Sequence, residues 1–147
     1  MLAGTEIGSS DVPGRTNRSV WMAERASVAV VPPDCLFCKI VAGEVPSEEV
    51  SSTEGTYAFR DVAPAAPTHV LVVPKRHIDH AGALGGDPAD AATLAEMFAA
   101  AREVARSEGV DASGYRLVFN VGDDAQNSVS HLHLHVLGGR RLGWPPG

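Results

Sequence analysis

The chain has 147 residues, 44% of them hydrophobic, a length and composition that suggest one globular domain with a tail. Its formal net charge is −6 and its 12 Lys and Arg are scattered, which argues against nucleic acid as the main partner, because phosphate backbones need a basic stripe. No run approaches the ~20 apolar residues of a membrane-spanning helix, and the N-terminal MLAGTEIGSSDVPGRTNRSVW lacks the ~7–15-residue apolar core of a secretory signal. Cys35 and Cys38 lie too close together to staple a fold, so the compartment is read as reduced and cytoplasmic.

Residues 1–33 carry Gly, Ser, Thr and Pro without periodicity and end in Val31-Pro32-Pro33. They read as a flexible tail, or an arm ordered only against a partner. Met22 is an alternative start. The domain itself spans 34–147. It opens with CLFCKIVAGEVP, a short helix in which Leu36, Phe37 and Ile40 share a face and Gly43 and Pro46 end the element. Three strands are predicted next: Glu49–Thr53, Thr56–Arg60 and His69–Val73. DVAPAAPT forms a loop between the last two. DPADAATLAEMFAAAREVARSEG is the clearest helix, with Asp87 as N-cap, Pro88 at the first helical position and one stripe of Leu94, Met97, Phe98, Ala101, Val104 and Ala105. Two strands close the chain, Tyr115–Val121 and His131–Leu137, joined by the polar GDDAQNSVS. Strands with one long and one short helix predict an α+β fold with a mainly antiparallel sheet.

The last strand reads HLHLHVL. Alternate side chains share a face, so His131, His133 and His135 point one way while Leu132, Leu134 and Val136 point the other, under the long helix. Same-face neighbours stand about 6.6 Å apart, so the outer two are about 13 Å apart and one metal ion cannot easily take all three. Three readings remain open at this point: a polar strand face with no chemistry, a zinc site using two of the imidazoles, or an imidazole nucleophile acting at phosphorus. The third needs donors for developing phosphate charge, and Asn120, Asn127 and Ser128 lie nearby in sequence. Cys35-x-x-Cys38 by itself fits a redox pair, a metal site or two buried thiols. A redox pair would normally lead from a strand into a long helix, and this one opens a short helix after a Pro-Pro tail.

HLHLHVLGGR resembles the His-x-His-x-His-x-x signature of the histidine-triad (HIT) superfamily. APTHVLVVPKRHI, YRLVFNVG, QNSVSHLHLHVLGGR and the terminal WPPG resemble its nucleotide-binding (HINT) branch, over residues 34–147. The resemblance implies a HIT-like fold: about five antiparallel strands with one long and one short helix, and a homodimer in which two sheets become continuous. It implies a purine nucleoside 5′-phosphoramidate hydrolase, acting on AMP-amine adducts through a nucleotidyl-histidine intermediate. His133 would be the nucleophile, with His135 and His69 contacting phosphate oxygens or the leaving group and Ser128 bonding the phosphate or leaving nitrogen. Asn120 and Asn127 would help bind phosphate. Asp61 would hold the ribose hydroxyls, although a residue before a Pro-rich loop can equally cap a turn. Leu36, Phe37, Ile40, Phe59 and Val62 would line the base pocket, and Trp144 would shape the leaving-group side of the partner's site. No cofactor is implied for catalysis. Bacterial members with a Cys pair bind zinc with two histidines, which implies a closed structural shell of Cys35, Cys38, His77 and His131.

Within the superfamily, dinucleotide polyphosphate hydrolysis or nucleotidyl transfer is the nearest alternative, and GGR and WPPG count against it. A non-catalytic nucleotide-binding regulator and a zinc-dependent hydrolase using His-x-His are the others. The chain departs from the family pattern in its phosphate loop, where Gln126 and Asn127 stand in place of a glycine followed by a glutamine.

Overall fold

The computed structural model describes residues 31–147. The expectation of a tail over 1–33, and the question of Met22, therefore lie almost wholly outside the described residues. In chain order the elements are α1 (Leu36–Val41), β1 (Glu49–Ser52), β2 (Thr56–Arg60), β3 (Thr68–Pro74), α2 (Pro88–Ser107), β4 (Tyr115–Val118) and β5 (Leu134–Gly138), with a single 3-10 turn at Ala81–Ala83. The five strands form one sheet in the order β1-β2-β3-β5-β4, and every neighbouring pair is antiparallel.

Strand alternation divides the interior into two cores. Val70 and Val72 of β3, with Leu132, Leu134 and Val136, face α2 and meet Met97, Ala100, Ala101 and Val104. Leu71 and Val73 of β3, with Phe59 of β2, face the other way and meet Phe37 and Ile40 of α1. Because β3 is buried on both faces, it reads as an unbroken apolar run. α2 forms where its caps predict. Asp87 accepts from the Asp90 N–H at 2.9 Å and Pro88 occupies the first turn. At its other end Gly109 sits at φ +70°, and the Val110 and Gly109 N–H groups bond back to the Ala105 and Arg106 carbonyls at 2.9 and 3.2 Å. This left-handed stop satisfies two carbonyls that the helix leaves open.

The two C-terminal strands are shorter than their sequence suggests. The register pairs Val72 with Leu134, so Pro74 comes opposite Leu132 as it continues. Pro74 has no N–H to offer, and its carbonyl accepts from the His131 ring instead. Residues 131–133 therefore run alongside the sheet without joining its ladder. β4 stops at Val118, paired with His135, because its own partner leaves the ladder at Leu134.

Candidate active site

The leucine–histidine alternation survives outside the ladder. Leu132 and Leu134 are fully buried against the α2 core. The imidazoles stand on the α1 side, where the Phe37 ring meets His131 and His133 edge-on at 6.0 and 5.2 Å. His133 and His135 line a cleft of about 220 Å3 together with Leu36, Phe37, Ile40, Phe59, Asp61, Val62, Leu71, Ser128 and Val129. Exposed Leu36 and Val62 form an apolar rim at its mouth. The volume suits a single small ligand rather than a polymer.

The His133 Nδ1 lies 2.7 Å from the His131 carbonyl oxygen. A carbonyl can only accept, so Nδ1 carries the proton and Nε2 is left with the lone pair. His135 is oriented by a second chain of bonds. The Ala65 backbone N–H donates to His69 Nδ1 at 2.9 Å, which puts the His69 proton on Nε2. That proton reaches His135 Nδ1 at 2.8 Å, and Asp61 Oδ2 lies 3.3 Å from the same His69 nitrogen. By the same logic neutral His135 carries its proton on Nε2; the Asn120 Nδ2 stands 3.5 Å away and is itself a donor, so the two hydrogen-bond only with the Asn120 amide turned to present its oxygen. The backbone thus dictates opposite tautomers for the two cleft imidazoles: an electron pair on His133 and a donor on His135. Burial holds the His69 imidazole below its usual pKa against the pull of Asp61. Burial, with His133 and His69 nearby, pushes His135 down to about 4.

Each remaining residue has a definite place. Asp61 caps the following turn, its Oδ1 accepting from the Ala63 N–H at 2.8 Å, and also lines the cleft. Asn120 meets His135 from outside the cleft lining. Asn127 has its Oδ1 buried without a partner. Neighbouring Gln126 adopts φ +58°, a left-handed backbone in a position where the family pattern has glycine. Trp144 is 83% exposed, and its C-terminal segment lies against Ala65, Arg116 and Leu137, away from the chain's own cleft. Leu71 and Val129, absent from the sequence reading, also line the cleft. Leu71 could have been found as the residue that shares the His69 face of its strand. His80 is half-buried and its Nδ1 has no partner.

The second cluster joins Cys35, Cys38, His77 and His131. Three sulfur–nitrogen edges, Cys35–His131, Cys38–His77 and Cys38–His131, each measure 3.4 Å and use the Nδ1 atoms. A tetrahedral zinc with normal bond lengths sets such edges at about 3.5 Å. The far side of each ring is anchored, His131 Nε2 to the Pro74 carbonyl and His77 Nε2 to Asp79, both at 2.8 Å. Burial pushes the Cys38 thiol up to about 12, so a divalent cation is what would draw out its thiolate. Donor set, spacing and outer anchors all fit a closed metal shell.

Known proteins resemble this chain in the same regions. The family model described as the HIT domain matches residues 42–142. An uncharacterized 13.2 kDa HIT-like protein of Azospirillum brasilense is 45% identical over 114 residues, 76% of this chain and 90% of its own. A 14 kDa zinc-binding protein of Zea mays is 41% identical over 112 residues, covering 76% of this chain and 87% of that one. Among solved structures, a HIT family hydrolase from Legionella pneumophila is 46% identical with a TM-score of 0.74, over 78% of this chain and all of that one. A histidine triad nucleotide-binding protein from Candida albicans gives 30% and 0.64, over 76% and 82%. With an imidazole-lined cleft, a five-stranded sheet and these relatives, the chain belongs to the histidine-triad (HIT) family.

Proposed function

We propose that the protein hydrolyses purine nucleoside 5′-phosphoramidates, AMP-amine adducts above all, through a nucleotide covalently held on His133. The observation that carries this reading is the His133–His131 carbonyl bond, which leaves an unprotonated Nε2 on a ring at the cleft wall. That lone pair attacks the α-phosphorus. A P–N bond forms to His133 as the P–N bond to the amine breaks, and the leaving nitrogen takes a proton from solvent water, a proton that the water attacking in the next step gives back to solvent. Water then attacks the same phosphorus, the His133–phosphorus bond breaks, and AMP leaves. His135 Nε2–H donates to a phosphate oxygen as negative charge builds there. His69 acts behind it by fixing its tautomer. Ser128 at the cleft edge bonds the phosphate or the leaving nitrogen. Phe37, Ile40 and Phe59 sandwich the base, and Asp61 at the mouth accepts from the ribose hydroxyls.

No step needs a metal. The Cys35–Cys38–His77–His131 shell is proposed to hold a structural zinc, which when bound cross-links α1, the loop after β3 and the triad segment and adds to folding stability. The functional unit is proposed to be a homodimer formed across α2 and the open edge of β4, with Trp144 reaching the partner's cleft. Initial rates on an AMP-amine phosphoramidate test the activity directly. The wild-type chain turns over, and a folded His133→Ala variant loses at least about 10³-fold in kcat. A folded variant that keeps the wild-type rate removes His133 from the chemistry.

A further inference from the structure

The two clusters meet at one peptide. His131 gives its ring nitrogen Nδ1 to the Cys35–Cys38–His77 group and its backbone carbonyl to the nucleophile's Nδ1–H. This peptide lies outside the β5 ladder, which begins at Leu134, so strand pairing does not fix the direction of its carbonyl. Five contacts hold the residue instead. The His131 N–H donates to Val129 and the Leu132 N–H to Ile78. The ring anchors at Nε2 to the Pro74 carbonyl, and at Nδ1 to the thiols. The thiol side is the variable anchor, because its geometry depends on what the four donors hold. Asp79 extends the chain of contacts outward. Its carboxylate accepts from His77 Nε2 at 2.8 Å, which turns the His77 Nδ1 lone pair toward Cys38.

We propose that Asp79 and His131 are positioning residues that tie metal loading of the Cys35–Cys38–His77–His131 cluster to the aim of the His133 imidazole. The metal does not enter the reaction. A loaded cluster holds the His131 ring, the ring holds its own carbonyl, and the carbonyl holds the His133 proton on Nδ1. Emptying the cluster frees one end of that lever, so His133 samples rotamers and tautomers in which Nε2 no longer faces the substrate. Asp79 touches neither substrate nor nucleophile, and its influence runs only through His77 and the metal. The inference rests on the nucleophilic reading of His133 and on the metal reading of the cluster.

The test uses the full chain, zinc-loaded and chelator-stripped, with folding followed by circular dichroism. Three quantities are read: zinc content, kcat and KM on an AMP-amine phosphoramidate, and the slowly exchanging imidazole N–H resonance of His133 in proton NMR. Stripped but folded protein is expected to lose about 10-fold or more in kcat with KM within about 2-fold, and to lose that resonance. One equivalent of zinc restores both. In Asp79→Ala, zinc passes to a chromophoric chelator about 10-fold faster and the His133 resonance broadens, while Asp79→Asn, which keeps an acceptor oxygen, recovers most of the difference. Stripped, folded protein with an unchanged kcat and resonance overturns the coupling, as does a wild-type chain that takes up no zinc. If stripping unfolds the chain, Asp79→Ala decides: wild-type zinc release with an unaltered resonance is the contrary result. A loaded wild-type chain that turns over no phosphoramidate defeats the proposed activity alone, since the resonance still tests the lever.

Discussion

At the scale of single residues, the His69–His135 pair makes the sharpest commitment. Each ring is needed in its neutral form, because a proton on His135 Nδ1 would set two donors against each other across 2.8 Å. An unfolded imidazole titrates near 6.5, whereas the folded His135 titrates at about 4. Between those values the unfolded chain binds more protons than the folded one, so acid favours unfolding. Stability is expected to fall as pH drops from about 6.5 toward 4, by up to about 1.4 kcal/mol per pH unit from this group, with His69 pulling the same way. Denaturant unfolding of wild type and His135→Asn at several pH values isolates the effect, since acid release of zinc affects both alike. The two curves should converge with acid, and parallel curves would contradict the pairing. The imidazoles themselves were visible in the sequence from their spacing. The Ala65–His69–His135 chain was not, because it depends on a loop N–H at Ala65 and on a His69–His135 contact that spans 66 residues of sequence, and no local pattern encodes that.

Among the elements, α2 and the leucine face of the triad segment depend on each other. Leu134 has no exposure and fills the space against Met97, Ala101 and Val104. Leu134→Ala should cost about 3 kcal/mol, read as a lower denaturant midpoint with an unchanged slope. Gly109→Ala, at φ +70°, should cost about 1 kcal/mol by the same measurement. A loss below about 0.3 kcal/mol at Gly109 would mean the helix stop is not held in its left-handed form. Gly139, at φ +86°, has a different constraint: a Cβ there would stand 2.9 Å from Pro67, so the Gly-Gly pair after the triad lets the β3 entry loop pack closely. Helices and inner strands were legible because caps, apolar periodicity and β-branched runs all agree on them. The ends of β4 and β5 were misplaced because a proline on the neighbouring strand ends the ladder, a cause that lies on another segment. The split of the histidine row was only half legible. Spacing said only that one ion cannot take all three; the family resemblance assigned His131 to the Cys pair, and the fold brings its Nδ1 to 3.4 Å from both thiols.

For the whole molecule, the β4 edge of the sheet is the face proposed for a second copy. β4 is an edge strand, and close to it Phe98 of α2 and Val121 are each 44% exposed, with Phe98 edge-on to Phe119. An unpaired edge beside exposed aromatic surface is a ready-made docking face. Phe98→Glu is expected to shift the protein from dimer to monomer in sedimentation velocity, with the His133 cleft still folded, and to lower turnover if Trp144 of one copy serves the other. A variant that sediments as wild type would place the interface elsewhere. Among the described residues no helix is long and apolar enough to cross a membrane. The proposed activity depends on one event at the cleft, the transfer of a nucleotide to the His133 imidazole. The most direct measurement is intact-protein mass spectrometry of enzyme quenched during turnover of an AMP-amine phosphoramidate, followed by peptide mapping under conditions that preserve P–N bonds. The account predicts an adenylyl adduct on His133 in wild type and none in His133→Ala. Turnover with the adduct on another residue, or with no adduct in a His135→Asn variant slowed enough to accumulate one, would contradict it.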